Sequence, residues 1–312
     1  MSATGLPTAF ISHQDCRLHN MGAHHPECAE RLDAIQDRLI ASGLDTCLQF
    51  HDAPLAEREQ LERVHPRSYI DQLESQRPTQ GIVHLDPDTA MCPGTWNAAL
   101  RSAGAGCLAT DLVMRGDVAS AFCAVRPPGH HATRDRAMGF CFFSNVAVAA
   151  RHALDAWGLQ RVAIVDFDVH HGNGTEDVFA NDERVLMVSI FQHPFYPYCG
   201  TENPAANMCN VPVAAGTRGE EFRRIVSEIW LPRLRAFQPQ MIFISAGFDA
   251  HYEDDMASLG LLESDYAFVT EQIMQVADEF AQGRIVSMLE GGYALSALGR
   301  SAVVHIKTLA GL

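Results

Sequence analysis

The sequence predicts an α/β fold: a single domain with a doubly wound, mostly parallel sheet flanked by helices. Two patterns lead to this prediction. Short, near-continuous apolar runs alternate with amphipathic stretches over most of the chain, as in strand–helix units. The apolar runs lack the polar alternation of a half-exposed strand, so we expect burial on both faces. No repeat, low-complexity segment or linker interrupts the pattern, and residues 1–312 are expected to form one domain.

Each element is predicted from its own pattern. The predicted strands are short apolar runs, namely residues 8–11, 121–125, 162–167, 185–190, 241–245 and 284–289. In the first predicted helix, Leu32, Ile35 and Leu39 share one face, and Gly43 is placed to end it. The predicted helices are residues 30–42, 95–114, 144–157, 220–236, 264–281 and 295–309.

The charge balance restricts the partners of the chain. Acidic residues outnumber basic ones by 38 to 23, which gives a formal net charge of −15. This charge repels nucleic acid and anionic membrane surfaces, so we expect neither as a partner. A neutral or cationic substrate is favoured.

Several features favour a cytoplasmic location. The first residues lack the basic and apolar regions of a secretory signal, and no apolar run approaches the roughly 18 residues of a membrane span. The nine cysteines include no CxxC pair and are expected to be reduced, buried thiols. The sequence leaves the oligomeric state open.

Polar side chains follow four of the predicted strands, at the end where open parallel sheets bind ligands. The segments concerned are residues 126–131, 166–174, 246–249 and 290–293. Because the carboxyl ends of parallel strands share one edge, these segments are expected to converge on a single site.

A divalent metal ion is the first candidate ligand. Asp168 and His170 are two residues apart, so in an extended chain they project from the same side, and Asp249 follows another strand. Two carboxylates and one imidazole with an open position are typical of a catalytic metal site. The set suits zinc, although iron(II) or cobalt would also bind. The alternative is a strand-end hydrogen-bond pair without a metal.

Two histidines and a tyrosine are the candidates for proton transfer. His130 and His131 follow Pro-Pro-Gly, and beside a metal such imidazoles can take a proton from attacking water. Asp166 and Asn173 could orient the two rings. Tyr293 follows two glycines, and its phenol could polarise a carbonyl and stabilise the oxyanion. The alternatives are buried structural histidines and a tyrosine packed at the rim of the sheet.

Five sequence blocks together resemble the zinc-dependent histone deacetylase and acetylpolyamine amidohydrolase superfamily. They are RPPGHHA (126–132), GFCFFSNVAVAA (139–150), DFDVHHGNGT (166–175), SAGFDAH (245–251) and EGGY (290–293). HHPE (24–27) and DPDTAMCPGTW (86–96) extend the similarity nearly to the start of the chain. The resemblance implies a class II-like, bacterial-type deacetylase domain with the arginase/deacetylase-like fold.

The resemblance implies a role for each residue of the catalytic centre. Asp168, His170 and Asp249 would ligate one catalytic zinc ion, and Tyr293 fits the catalytic tyrosine of active members.

The same resemblance implies a different role for each of the two histidines. His131 would be the general base and later the acid, while His130, paired with Asp166, would be the second, electrostatic histidine. Asn173 stands where class I members carry an aspartate, as in the class II pattern.

The resemblance also implies a substrate tunnel. Gly139 and Phe140 would form one wall, and Tyr196, before Pro197, is the candidate for the facing aromatic wall. Asp88 is the candidate for binding a substrate backbone amide at the rim.

Two further sites follow from the family pattern. Arg31 matches an arginine that lines the internal cavity behind the metal. A structural potassium ion would be bound through backbone carbonyls, and the residues involved would be Asp166, Asp168, His170, Ser189 and Ile190.

The chain departs from the family pattern at two places. Ala29 stands where proline is usual, and Met256 stands where polyamine-selective eukaryotic relatives carry an acidic gatekeeper. The neighbouring Glu253, Asp254 and Asp255 could still attract a cation, so Met256 argues only mildly against acetylpolyamines.

The favoured function is zinc-dependent hydrolysis of an acyl amide, with acetyl-lysine in a peptide or protein as the expected substrate. The alternative keeps the same machinery for an acetylated polyamine or another small amide. A binding module without turnover would have lost a ligand, a histidine or the tyrosine, whereas all are present here. An arginase-like hydrolase with two metal ions would need more ligands than His171 and Asp166 could add.

Overall fold

The computed structural model describes residues 5–312, so the first four residues of the predicted domain lie outside the described residues. Most of the strands belong to one parallel sheet. Within residues 5–312 the strands are β1 Thr8–Ser12, β2 Leu48–Asp52, β3 Val83–Asp86, β4 Thr89–Met91, β5 Ser120–Cys123, β6 Val162–Asp166, β7 Val185–Gln192, β8 Met208–Val213, β9 Met241–Ala246 and β10 Ile285–Leu289.

The main sheet has eight strands in the order β2-β1-β5-β10-β9-β6-β7-β8, and each neighbouring pair is parallel. β3 and β4 form a separate antiparallel pair. The inner strands β6 and β9 are buried at every position, as their continuous apolar sequences predict. The predicted fold class, with a doubly wound sheet flanked by helices, is confirmed.

Two groups of helices cover the sheet. α4 and α5 pack together against the inner strands, while α1, α10, α9 and α8 pack in a row. Over the described part of the chain, the α-helices are α1 Glu30–Ser42, α2 Arg58–Glu62, α3 Arg67–Ser75, α4 Thr95–Arg115, α5 Asn145–Asp155, α6 Asn173–Phe179, α7 Gly219–Ile225, α8 Leu231–Phe237, α9 Glu263–Phe280 and α10 Leu295–Leu309. Residues Gln14–Leu18 and Leu44–Cys47 form short 3-10 segments.

Each predicted segment matches one of these elements with small shifts, except the helix predicted over residues 220–236. Five smaller elements had no predicted counterpart, namely β3, β4, α2, α3 and α6. The helix predicted over residues 220–236 is divided into α7 and α8 by a wider π-type turn, Val226–Trp230. Pro232 follows this turn and has no N–H to donate within a helix, so the regular ladder is interrupted beside it.

The sequence analysis missed both edge strands. β2 is largely exposed and has no continuous apolar run, and β8 contains Pro212. Proline cannot donate to a ladder and is tolerated at a sheet edge, which is where β8 lies. The search for doubly buried strands therefore found the interior of the sheet and not its borders.

The sequence analysis made two expectations about the whole chain: that no segment spans a membrane and that the cysteines are reduced, buried thiols. No helix among residues 5–312 is long and apolar enough to cross a membrane. All nine cysteines are free, but the expectation that they are buried is wrong for three of them: Cys47 and Cys199 are exposed and Cys28 is partly exposed, because they lie outside the strands of the sheet.

Candidate metal centre and active site

The four strands that precede the predicted site segments are neighbours in the sheet, in the order β5-β10-β9-β6. All four run in the same direction, so the residues that follow them meet at one edge. The convergence expected from the sequence is therefore present in the fold.

Asp168, His170 and Asp249 form a buried group whose potential ligand atoms all lie within 4.8 Å of one another. The Nδ1 of His170 lies 3.1 Å from Asp168 Oδ1 and 3.1 Å from Asp249 Oδ2. β6 ends at Asp166, so Asp168 and His170 lie in a bend and not in the extended chain that was expected. The bend is closed by Asp168 Oδ1, which accepts a hydrogen bond from His170 N at 2.8 Å.

The charges in this group depend on one another. Burial would lower the pKa of His170, but Asp168 and Asp249 outweigh it and raise that pKa to about 9. Burial and the nearby Asp168 raise the pKa of Asp249 to about 6. Two carboxylates and one imidazole at these separations would share a divalent ion, and binding such an ion would displace a proton from His170.

His131 is held in one tautomer by Asn173. The Nδ1 of His131 lies 2.8 Å from Asn173 Oδ1, while the Asn173 amide nitrogen faces His131 O and Met138 Sδ. An amide oxygen only accepts, so the proton of the neutral ring is on Nδ1 and Nε2 is left free to accept one. Burial, followed by the nearby His130 and His170, lowers the pKa of His131 well below its ordinary value.

The pKa of His130 is shifted in the opposite direction to that of His131. Its Nδ1 lies 3.0 Å from Asp166 Oδ2, and its ring centroid is 4.1 Å from that of His131. Burial alone would lower the pKa of His130, but Asp168 and Asp166 outweigh burial and raise that pKa well above its ordinary value. The pKa values of the two imidazoles are therefore shifted in opposite directions, and strongly shifted pKa values cluster at functional sites.

Tyr293 lies under a buried arginine. The guanidinium of Arg31 is 5.0 Å from the centre of the Tyr293 ring, and Arg31 Nε donates to Gly292 O at 2.7 Å. Arg31 also donates to Glu290 O and to the carboxylate of Glu27. Burial, followed by the carboxylate of Asp249, raises the pKa of the Tyr293 phenol well above its ordinary value, so the phenol keeps its proton.

Glu290 is a residue of the site that the sequence analysis quoted only as part of a motif. Its Oε2 accepts from Gly129 N at 2.7 Å and from His130 N at 3.1 Å, and Oε1 accepts from Ser245 Oγ at 3.1 Å. Burial raises the pKa of Glu290 to about 7. The carboxylate thus fixes the backbone of the histidine loop.

Aromatic rings surround the histidines and Tyr293. Phe140 lies 6.0 Å from Tyr293, and Tyr196 lies 5.2 Å from His131, measured between ring centroids. Phe195, which the sequence analysis did not select, stacks on His170 at 5.6 Å. Phe195 directly precedes Tyr196, so the adjacent pair of aromatic residues is the sequence feature that could have identified it.

Gly139 is required by close packing against His131. A Cβ at Gly139 would lie 2.4 Å from the His131 ring, and its φ of +56° is unfavourable for other residues. Asp88 Oδ1 accepts from Gly139 N at 3.2 Å and from Thr89 Oγ1 at 2.8 Å. The predicted rim aspartate therefore contacts the predicted tunnel wall directly.

The remaining predicted residues lie at the same edge. Ser189 is the register partner of Asp166 on the neighbouring strand β7, and Ile190 follows it. Met256 is partly buried, and its N–H donates to Asp254 Oδ1 at 3.0 Å.

One buried ion-pair cluster behind Tyr293 was not predicted. Glu27 receives Arg126 through two nitrogens, one of them at 2.6 Å, and Arg31 at 3.1 Å. All three side chains are fully buried. Such a cluster is recognisable only when distant segments have been brought together.

Comparison with known proteins identifies the family of the chain. A family model described as Histone deacetylase domain matches residues 25–309. The chain belongs to the histone deacetylase family. Its members' names describe deacetylases and an amidohydrolase, and the chain is accordingly an enzyme that hydrolyses amide bonds.

Individual histone deacetylase relatives are similar over most of their length. The "Probable deacetylase" of Archaeoglobus fulgidus is 35% identical, with 93% of this chain and 82% of the relative covered. The "Histone deacetylase-like amidohydrolase" of Pseudomonas aeruginosa is 34% identical, with 98% and 86% covered. The crystal structure of the HDA15 HD domain superposes with a TM-score of 0.93 at 32% identity, covering 99% of this chain and 89% of that one.

Proposed function

We propose that this enzyme is a zinc-dependent deacetylase that removes an acetyl group from the side-chain amine of lysine. The observation that carries the proposal is the convergence of three side chains that could hold a metal ion with His131, whose pKa is lowered, and the phenol of Tyr293. These are the groups that metal-assisted hydrolysis of an amide requires.

Asp168, His170 and Asp249 would hold the zinc ion. The mutual 3.1 Å contacts of His170 with the two carboxylates suit ligands that share one small ion, and iron(II) suits the same donors. When bound, the ion supplies a Lewis acid for the amide carbonyl and lowers the pKa of water.

His131 would move the protons. Its free Nε2 accepts a proton from the attacking water, and the resulting imidazolium donates it to the leaving amine. Asn173 holds the ring orientation throughout and fixes the Nδ1–H tautomer whenever the ring is neutral. The charged His130, fixed by Asp166, stabilises negative charge that develops beside it.

Tyr293 would donate a hydrogen bond from its phenol O–H to the carbonyl oxygen of the substrate as that oxygen becomes an oxyanion. The raised pKa of the phenol keeps the donor protonated at neutral pH. Arg31 would hold the Gly292 backbone behind this group and line the internal cavity.

The substrate would approach between aromatic walls. We assign Gly139 and Phe140 to one wall and Tyr196 to the other, with Asp88 at the rim. Met256 would add an apolar side chain at the mouth, which suits the methylene groups of a lysine side chain.

The acetylpolyamine alternative is weakened by the surroundings of Met256. Glu253 pairs with Arg300, and the carboxylate of Asp254 is turned toward backbone N–H groups. Of the acidic residues Glu253, Asp254 and Asp255, only Asp255 is exposed without such a partner within residues 5–312, so two of the three carboxylates are already engaged by the protein itself.

A competition assay on zinc-loaded protein tests the proposal. Acetyl-lysine peptides would be compared with acetylputrescine and acetylspermidine, together with lysine peptides carrying longer acyl chains. We expect the highest kcat/KM with acetyl-lysine. A higher kcat/KM with an acetylpolyamine would select the alternative, and turnover of neither class would contradict both.

Three broader assignments remain proposals. Residues 1–312 would form one catalytic domain, which the family match over residues 25–309 supports. A potassium ion would be held by Asp166, Asp168, His170, Ser189 and Ile190. The free cysteines support a cytoplasmic, reducing location.

A further inference from the structure

A buried aspartate joins the loop that carries Asp249 to the loop that carries Tyr293. Asp254 is 5% exposed and follows Asp249 by five residues. Its own N–H donates to His251 O at 2.9 Å, which fixes it within the first loop.

Both carboxylate oxygens of Asp254 are used. Oδ2 accepts from Tyr293 N at 2.6 Å and from Ala294 N at 3.0 Å. Oδ1 accepts from Met256 N at 3.0 Å. One side chain therefore binds the backbone of the proposed oxyanion donor and that of the proposed mouth residue.

The backbone of Tyr293 needs an external support of this kind. Tyr293 follows Gly291 and Gly292, and Gly292 has a φ of +120°. Because glycine has no Cβ and many accessible backbone conformations, these two residues do little to fix the position of Tyr293. Tyr293 and Ala294 also precede the first turn of α10, where backbone N–H groups have no partner within the helix. Two contacts supply that support from two sides, through Arg31 at Gly292 O and through Asp254 at Tyr293 N.

We propose that Asp254 is a positioning residue for the deacetylation reaction, which holds the Tyr293 phenol in register with the site formed by Asp168, His170 and Asp249. This inference rests on the proposed function of Tyr293. Asp254 acts through hydrogen bonds to the backbone and does not touch the substrate.

Two substitutions separate hydrogen bonding from charge. Asp254→Ala removes all three acceptor contacts. Both variants remove the negative charge of the side chain. In Asp254→Asn, however, the amide oxygen can still accept from Tyr293 N and Ala294 N. The amide nitrogen then takes the place of Oδ1, so the contact with Met256 N is lost. A positioning role therefore predicts that Asn restores much of what Ala loses.

The matched control is Asp265, another buried aspartate at the start of a helix. Asp265 Oδ2 accepts from Leu262 N at 2.9 Å before α9, and Oδ1 accepts from Arg223. Asp265→Ala removes a comparable contact that has no connection to Tyr293, so it reports the effect of general destabilisation.

The experiment measures kcat and KM on zinc-loaded protein with an acetyl-lysine peptide. For Asp254→Ala we expect kcat to fall about 10- to 100-fold with KM within about twofold, since small displacements of a reacting group cost this much. Asp254→Asn should recover most of that loss, and Asp265→Ala should leave kcat within about twofold. In a Tyr293→Phe background, Asp254→Ala should change the residual kcat less than about twofold.

Hydrogen exchange supplies a readout that does not depend on activity. In the wild type, the amides of Tyr293 and Ala294 should exchange slowly, and Asp254→Ala should accelerate both while the zinc content stays the same. If Asp254→Ala does not fold, Asp254→Ser replaces it, because a hydroxyl one bond nearer the backbone cannot reach all three donors.

Three results would overturn the inference: an unchanged kcat in the folded Ala or Ser variant, an equal loss in the Tyr293→Phe background, or no recovery in Asp254→Asn. A wild-type enzyme that hydrolyses none of the acetylated probes would instead contradict the proposed function, while the exchange measurement would still test the contact.

Discussion

Asn173 Oδ1 lies 2.8 Å from His131 Nδ1 and thereby determines which nitrogen of the ring is free to accept a proton. We expect Asn173→Ala to lower kcat by about 10- to 100-fold, because the ring loses its orientation and its fixed tautomer. Asn173→Asp keeps an acceptor at the same place and should retain more activity than the alanine variant. Steady-state kinetics on zinc-loaded proteins decides this, and equal activity of the Ala variant and the wild type would exclude an orienting role.

Tyr293→Phe should separate binding from turnover. Removing the phenolic donor should lower kcat by about 100- to 1,000-fold, the usual effect of losing one donor to an oxyanion. The Phe variant keeps the ring under Arg31, so its zinc content and thermal stability should match the wild type. Wild-type turnover by this variant would show that Tyr293 does not stabilise the oxyanion.

Gly139→Ala should inactivate the enzyme by steric conflict with the His131 ring, 2.4 Å from the added Cβ. Gly158→Ala is the matched control, because Gly158 has a φ of +68° but no atom within 4 Å of the point where its Cβ would lie. Both variants should lose about 1–2 kcal/mol of stability from backbone strain. Any activity lost because part of the protein is unfolded should be similar in the two variants, and only Gly139→Ala should lose more than that. Similar activity in the two variants would show that His131 tolerates the methyl group.

Glu290 should make stability depend on pH in a defined direction. Burial raises its pKa in the folded state to about 7 from the ordinary 4.5, so between these values the folded state holds a proton that the unfolded state has lost. Glu290 therefore lowers the free energy of unfolding as pH rises through this range, by up to about 3 kcal/mol.

Glu290→Gln should remove this penalty, since Gln can still accept from Gly129 N and His130 N and donate to Ser245 Oγ. Chemical denaturation at pH 5 and pH 8 should show the Gln variant gaining stability relative to the wild type as pH rises. Glu290→Ala serves as the comparison that loses the contacts. A difference between Gln and wild type that stays constant or shrinks with pH would contradict the assigned direction.

The interior of the fold was accessible to sequence reasoning because inner parallel strands are buried on both faces and are therefore mostly apolar. β6 and β9 were found for this reason, whereas β2 and β8 were missed because edge strands tolerate exposed residues and proline. The predicted meeting of Asp168, His170 and Asp249 also followed from the sheet, since only parallel neighbours bring their carboxyl ends together.

Asp166 and Asn173 were expected beside the two histidines, where they lie, but the more distant supporting contacts were not accessible in the same way. Asp254 was considered only as a negative charge near Met256, yet its carboxylate faces inward onto Tyr293 N. Glu27 and Arg126 pair across 99 positions in the sequence. Nothing in local periodicity identifies the partner of a buried charge, because that partner depends on how separate loops pack.

The proposed function requires that Asp168, His170 and Asp249 together hold one divalent ion, without which the amide is not hydrolysed. The most direct test adds zinc stepwise to chelator-treated protein and measures bound metal and acetyl-lysine hydrolysis in the same samples. We predict one ion per chain at this site, activity that rises in proportion to it, and loss of both in Asp249→Ala. Undiminished hydrolysis by the metal-free protein, or unchanged zinc binding by the folded Asp249→Ala variant, would contradict the claim.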